Sequence, residues 1–210
     1  MLNRIVMSPR KAARVVGFAL LAMFFLAIFA EFVALSNIIV DGDAAATIDN
    51  IGANQGLFAG GIVGYIVILA LDVIVALGLY VVFKRADETL SLLTAALRLL
   101  YTAIMLVGLV ALALMFPNTY TGAQLIAYAF FILHLFVLGY LVYRSSYSPK
   151  ILGILLMIAS FCYLIMLYGD FVLPENWYQV LSLIVILPAT VAELALAIWL
   201  IWKGDEIPEQ

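Results

Sequence analysis

Apolar and polar positions alternate along this chain on a scale of some twenty residues, far longer than the period of a strand or of an amphipathic helix face. Six apolar runs stand out, at about residues 15–40, 57–83, 92–116, 123–143, 151–173 and 178–202, with short polar interruptions between them. A helix needs about 20 apolar residues to cross a hydrocarbon core of about 30 Å. In lipid, helices and closed barrels are the structures that satisfy their own backbone. The pattern therefore predicts an all-α polytopic membrane protein, with six transmembrane helices in one bundle and residues 1–210 as a single transmembrane domain.

The interruptions carry helix-ending chemistry. Lys84-Arg85 closes the second run, Pro117-Asn118 follows the third, Pro174 stops the fifth and Lys203-Gly204 closes the sixth. The longest interruption, residues 41–56, contains Asp43 and Thr47, whose side chains can cap free backbone N–H groups and begin a short helix. Pro188, inside the last run, frees the carbonyl of Ile184 and predicts a bend there. Arg4, Arg10, Lys11 and Arg14 precede the first run as they would a signal peptide, but that run far exceeds the 7–15 apolar residues of a signal core and reads as a spanning helix.

Composition strengthens this reading: 67% of the 210 residues are hydrophobic and 11% charged, too few charges to clothe a water-soluble surface. Charge distribution then orients the bundle. If the six runs alternate in direction, Arg4, Arg10, Lys11, Arg14, Lys84, Arg85, Arg144, Lys150 and Lys203 fall on one side, while the opposite loops carry Asp41, Asp43, Asp49 and Glu175 and no lysine or arginine. The positive-inside rule places both termini in the cytoplasm, with the protein in the plasma membrane. Trp177, Tyr178 and Tyr120 suit the outer interface, and Trp199, Trp202, Tyr143 and Tyr147 the inner one. Gly60, Gly61 and Gly64 allow close helix approach, either within the chain or between copies, so the oligomeric state stays open.

Each run also holds one ionisable side chain: Glu31, Asp72, Arg98, His134, Asp170 and Glu193. A charged group at bilayer depth costs about 2.5–3.5 kcal/mol on insertion scales, so such groups face the interior and find partners. By depth Glu31 and Asp170 are outer, Asp72 and His134 central, Glu193 central to slightly inner and Arg98 inner, which makes Arg98 the natural counter-ion of Glu193 or Asp72. Helical spacing puts Thr94, Arg98, Tyr101 and Thr102 on one stripe and places Tyr65 below Asp72. The face of His134 holds Ala123, Ala127, Phe130 and Leu138, all apolar, so its partner is expected on another helix, with Glu31 and Asp72 as the candidates. The expected site is an acidic vestibule with His134 at its floor. Against it stand simpler readings: Glu31 and Asp170 reaching the interface, Arg98 reaching headgroups, His134 as a packing residue, and Asp72 with Glu193 as structural groups.

Several short motifs occur in order along the chain. They are Gly42-Asp43-Ala44-Ala45-Ala46-Thr47 with Asn50-Ile51 after the Glu31 helix, His134 with Leu138-Gly139-Tyr140-Leu141 and Ser145, Pro149-Lys150-Ile151-Leu152-Gly153, and Glu193-Leu194 with Trp199-Leu200 and Lys203-Gly204. In these the chain resembles the prokaryotic multi-pass membrane family designated domain of unknown function 4386. The resemblance implies a multi-pass membrane protein with polar residues at Glu31, Asp43, Asn50, Asp72, Arg98, His134, Asp170 and Glu193. It implies no activity.

Three classes of function remain. The first is an intramembrane acidic and histidine site for a small polar or lipid-like ligand, serving transport or sensing, with proton exchange through Glu31, Asp72, His134, Asp170, Glu193 and Arg98. Asp43 and Asn50 are the outer-loop candidates for that site. The second is an intramembrane enzyme acting on a lipid-like substrate, metal-assisted through Glu31, Asp72, His134 and Asp170. No two of those ligands share a helix at HExxH spacing, and neither a GxSxG elbow nor a P-loop occurs, so no catalytic residue or cofactor is assigned. The third is a structural or partner-binding role. The lone Cys162 offers neither a disulfide nor a cysteine cluster, and nucleic-acid binding lacks a basic patch beyond the cytoplasmic rim.

Overall fold

A computed structural model describes residues 7–208, apart from the side chains of Asp170, Glu175, Asn176, Tyr178, Gln179, Ser182 and Leu183. Its helices are α1 (Pro9–Ala27), α2 (Ala44–Ala53), α3 (Gln55–Phe83), α4 (Glu88–Ala113), α5 (Pro117–Arg144), α6 (Lys150–Val172) and α7 (Glu175–Lys203). No strand occurs among the described residues. Six helical stretches are long and apolar enough to cross a membrane, and the protein is a multi-pass membrane protein.

The first run differs from the single helix expected over 15–40. After Ala27 it widens into a π turn, Ile28–Ala34, tightens into a 3-10 turn, Leu35–Asn37, and stops short of Val40. A π turn inserts an extra residue into the helical register and so re-aims the side chains around it. The short helix foreseen after Asp43 is α2: the Asp43 carboxylate accepts from the Ala46 amide at 2.9 Å. Thr47 accepts from the Val40 amide at 2.9 Å, and Asn50 donates to the Ile38 carbonyl at 3.1 Å, which ties α2 back to the end of the first span. Pro188 is accommodated within α7, which runs through it to Lys203.

The six spanning helices form a ring in chain order. Each packs on the next spanning helix, and α1 closes the ring on α7. Lipid offers no hydrophobic drive between helices, so small residues that let backbones approach decide where they meet. A Cβ on Gly17 would lie 2.8 Å from the Ala197 carbonyl at the α1–α7 seam, and one on Gly108 would lie 2.8 Å from the Ala123 Cβ at α4–α5. At the α5–α6 seam the obstruction is backbone: a Cβ on Gly153 would meet the Tyr143 amide at 2.5 Å. Gly61 and Gly64 receive Ala34 and Ala30 of the π turn, so these two glycines of α3 serve packing within the chain.

The start of α1 and the segment after α7 lie at the same end of the ring. Arg14 pairs with Asp205, and Arg10 donates to the Ile207 carbonyl at 3.1 Å, binding the tail after α7 to α1. This half of the ring is filled by packing. Phe83 is stacked between Tyr147 and Trp199, with ring centroids 6.1 and 6.4 Å away, and Tyr147 donates to the Val82 carbonyl at 2.8 Å. Tyr120, expected at the outer interface, is instead buried at the α2 end, 2% exposed, with its ring against Gly108.

Candidate functional site

The half of the ring towards α2 is hollow. A cavity of about 360 Å³ lies between the helices and reaches every spanning helix; Glu31, Asp72, Arg98 and Glu193 are its charged lining residues. Its depth follows from the register of α3. Tyr65 hydrogen-bonds Glu31, and Asp72 lies two helical turns further in, about 10 Å deeper at 1.5 Å per residue. Glu31 therefore stands near the mouth and Asp72 near the floor.

The floor is built on one ion pair. Arg98 from α4 meets Oδ1 of Asp72 on α3 through Nε at 2.7 Å and through Nη2 at 2.5 Å, and Thr102, one turn beyond Arg98, donates to Oδ2 at 2.9 Å. Both partners are withdrawn from the surface, Asp72 being 0% and Arg98 3% exposed. Their pairing meets the requirement that charge at this depth be matched, and it excludes the reading in which Arg98 reaches headgroups.

His134 stands behind this pair. Its Nδ1 lies 2.9 Å from the Thr94 carbonyl and its Nε2 3.1 Å from Nη1 of Arg98. A carbonyl only accepts and a guanidinium only donates, so the geometry calls for the neutral tautomer with the proton on Nδ1. The expected partners, Glu31 and Asp72, are thus replaced by two groups of α4, and the cavity floor is Arg98 with Asp72 rather than His134. His134 orients Arg98, with Phe131 stacked on its ring at 5.9 Å and lying 5.6 Å beneath the guanidinium carbon.

The remaining acids take tyrosine partners. Tyr65 donates to Glu31, and Tyr163 of α6 donates to Glu193 of α7 at 2.8 Å. The π turn lets Glu31 meet Tyr65 while Ala30 and Ala34 stay seated on Gly64 and Gly61. Four rings, Tyr101, Tyr128, Phe131 and Tyr163, form one wall of the cavity, with neighbouring centroids 4.9–6.3 Å apart. Sequence reasoning passed over Tyr128 and Phe131. The signal for them was the three-residue step 128–131–134, which shares a helix face with His134.

Not every candidate converges. Asp43 and Asn50 are spent on building α2. The side chain of Asp170 lies outside the described residues, although its backbone belongs to α6. Among the described residues no three acid, histidine or cysteine side chains come together as metal ligands, and the proposed set is broken because Nε2 of His134 faces a guanidinium.

Residues 15–119 and 110–204 match the family described as Domain of unknown function (DUF4386). The chain belongs to this family. A relative from Archaeoglobus fulgidus, described as an uncharacterized protein, is 35% identical over 151 residues, covering 70% of this chain and 86% of its own length. No solved structure matches. Membership of DUF4386 agrees with a multi-pass membrane protein, and the chemistry of the cavity carries any functional reading beyond that.

Proposed function

We propose that this protein binds a small amphipathic ligand in the cavity of its ring, with a polar headgroup seated among Glu31, Arg98 and Glu193 and an apolar tail leaving towards lipid. The single observation that carries this reading is the cavity's mixed lining, ionisable at the floor and mouth and apolar elsewhere. Lining residues that also face outward indicate where a tail would leave: Phe32 in the π turn is 58% exposed and Ile28 41% exposed. The Gly17 seam joins α1 to α7 at the termini end, whereas the π turn packs against α3. A gap between the π turn and α7 is the lateral portal this reading needs.

The packed half around Phe83 closes the cavity on the side of the termini, which suits a receptor or one state of a carrier. Transport would require that packing to open, with the π turn and Pro188 as the natural points of flexure. On the charge pattern the termini are cytoplasmic, the cavity mouth faces outward, and the membrane is the plasma membrane.

The test is native mass spectrometry of the protein released from lipid nanodiscs, beside a Thr190→Trp variant that fills the cavity. The expected result is an amphiphile adduct of about one per chain on the wild type, absent from the filled variant, as for any enclosed site of this kind. Identical adduct spectra from the two proteins would remove the reading.

A further inference from the structure

The charges lining the cavity do not cancel. Arg98 is matched by Asp72 through two of its nitrogens, and the third is held by His134. Glu31 and Glu193 remain, each bonded to a tyrosine, and among the described residues neither forms an ion pair. An ionised carboxylate in so apolar a cavity needs a counter-charge from a ligand or a proton. Beside Glu193 stands the wall of Tyr101, Tyr128, Phe131 and Tyr163, and aromatic faces attract cations, alkylated ammonium groups above all. The approach has the same polarity: the interruption before α3 carries Asp41, Asp43 and Asp49, and no lysine or arginine occurs in residues 38–57, 112–123 or 169–178. An acidic rim raises the local concentration of cations and repels anions.

From these three observations we infer that the headgroup is an organic cation, an alkylated ammonium on an apolar tail, seated between Glu193 and the aromatic wall. The inference rests on the amphiphile-site reading above and narrows it. An anionic headgroup would meet two carboxyl groups that form no ion pair among the described residues and only one guanidinium, already bound by Asp72 and His134. A neutral one would leave the aromatic wall and the acidic rim without a role.

Three probes of equal tail length separate the cases: octyltrimethylammonium, octyl sulfate and octanol, each measured by equilibrium dialysis against protein in nanodiscs, with empty nanodiscs subtracted. The cation is expected to bind saturably at one site per chain, with the sulfate and the alcohol at least about tenfold weaker, as for loss of one partner of a desolvated charge pair. Glu193→Gln, which keeps the side-chain shape, should weaken the cation by about tenfold or more. Tyr128→Leu should weaken it by about threefold or more while leaving octanol unchanged. Equal binding of all three probes to the wild type, a comparison that needs no variant, would overturn the inference, as would cation binding indifferent to both substitutions. If the sulfate or the alcohol alone binds, and loses binding in Thr190→Trp, the cation is refuted while the amphiphile site stands. If no probe shows binding sensitive to Thr190→Trp, both readings fall.

Discussion

Asp72→Asn leaves Arg98 in the bundle with an unmatched charge, and removing one partner of a buried pair costs about 3–5 kcal/mol. The expected outcome is a marked fall in the unfolding midpoint in mild detergent. The double variant Asp72→Leu with Arg98→Met, which removes both charges, should recover much of that loss. For this reason Asp72 is a poor probe of ligand binding, and Glu193, whose partner is the uncharged Tyr163, is the better one. His134→Leu takes away the acceptor for Nη1 of Arg98 and the Nδ1 hydrogen bond to the Thr94 carbonyl, a loss of about 1–3 kcal/mol by the same unfolding measurement. At this scale the sequence was informative about pairing by charge and depth: Arg98 does meet Asp72, one of the two acids foreseen. It was uninformative about His134, because a histidine can pair with a carbonyl or a guanidinium as readily as with a carboxylate, and only the packing of α4 on α5 brings Thr94 and Arg98 to its two nitrogens.

Helix seams are set by where a side chain is missing. At Gly153 an added Cβ would lie 2.6 Å from the Gly139 carbonyl as well as against Tyr143, so Gly153→Ala must separate α5 from α6. Overpacking of this kind typically costs about 1–3 kcal/mol, and here the obstruction is backbone, which cannot rotate away. Gly122 lies in α5 with nothing within 4 Å of its would-be Cβ, so Gly122→Ala should be neutral or stabilising by about 0.5–1 kcal/mol. Thermal unfolding of the two variants side by side checks the pair, and a Gly153→Ala protein as stable as Gly122→Ala would contradict the seam. The number and order of spanning elements were legible, since about twenty apolar residues have one stable solution in lipid. The π turn was not. Nothing in Ile28–Ala34 breaks helical periodicity, and the widening reconciles two tertiary demands, Ala30 and Ala34 on the glycines of α3 and Glu31 on Tyr65.

For the molecule as a whole, orientation is the claim most directly open to test. In a Cys162→Ala background, a cysteine at Asn54 or Thr121 should react with a membrane-impermeant maleimide in intact cells, and a cysteine at Thr89 only after permeabilisation. The reverse pattern would invert the bundle and turn the cavity mouth to the cytoplasm. By itself the sequence determined that the chain spans the membrane six times, which runs do so, and that each run carries an ionisable group, because those properties follow from length, hydropathy and residue identity. Tertiary structure decided which of those groups meet. Closing the ring of α1 on α7 assembles Glu31, Asp72, Arg98 and Glu193 from four helices around one cavity, turns His134 away from it, and joins the rings of Tyr101, Tyr128, Phe131 and Tyr163 into one wall. The physical reason is that depth can be counted along a chain, whereas rotation about each helix axis is set by packing against neighbours distant in sequence.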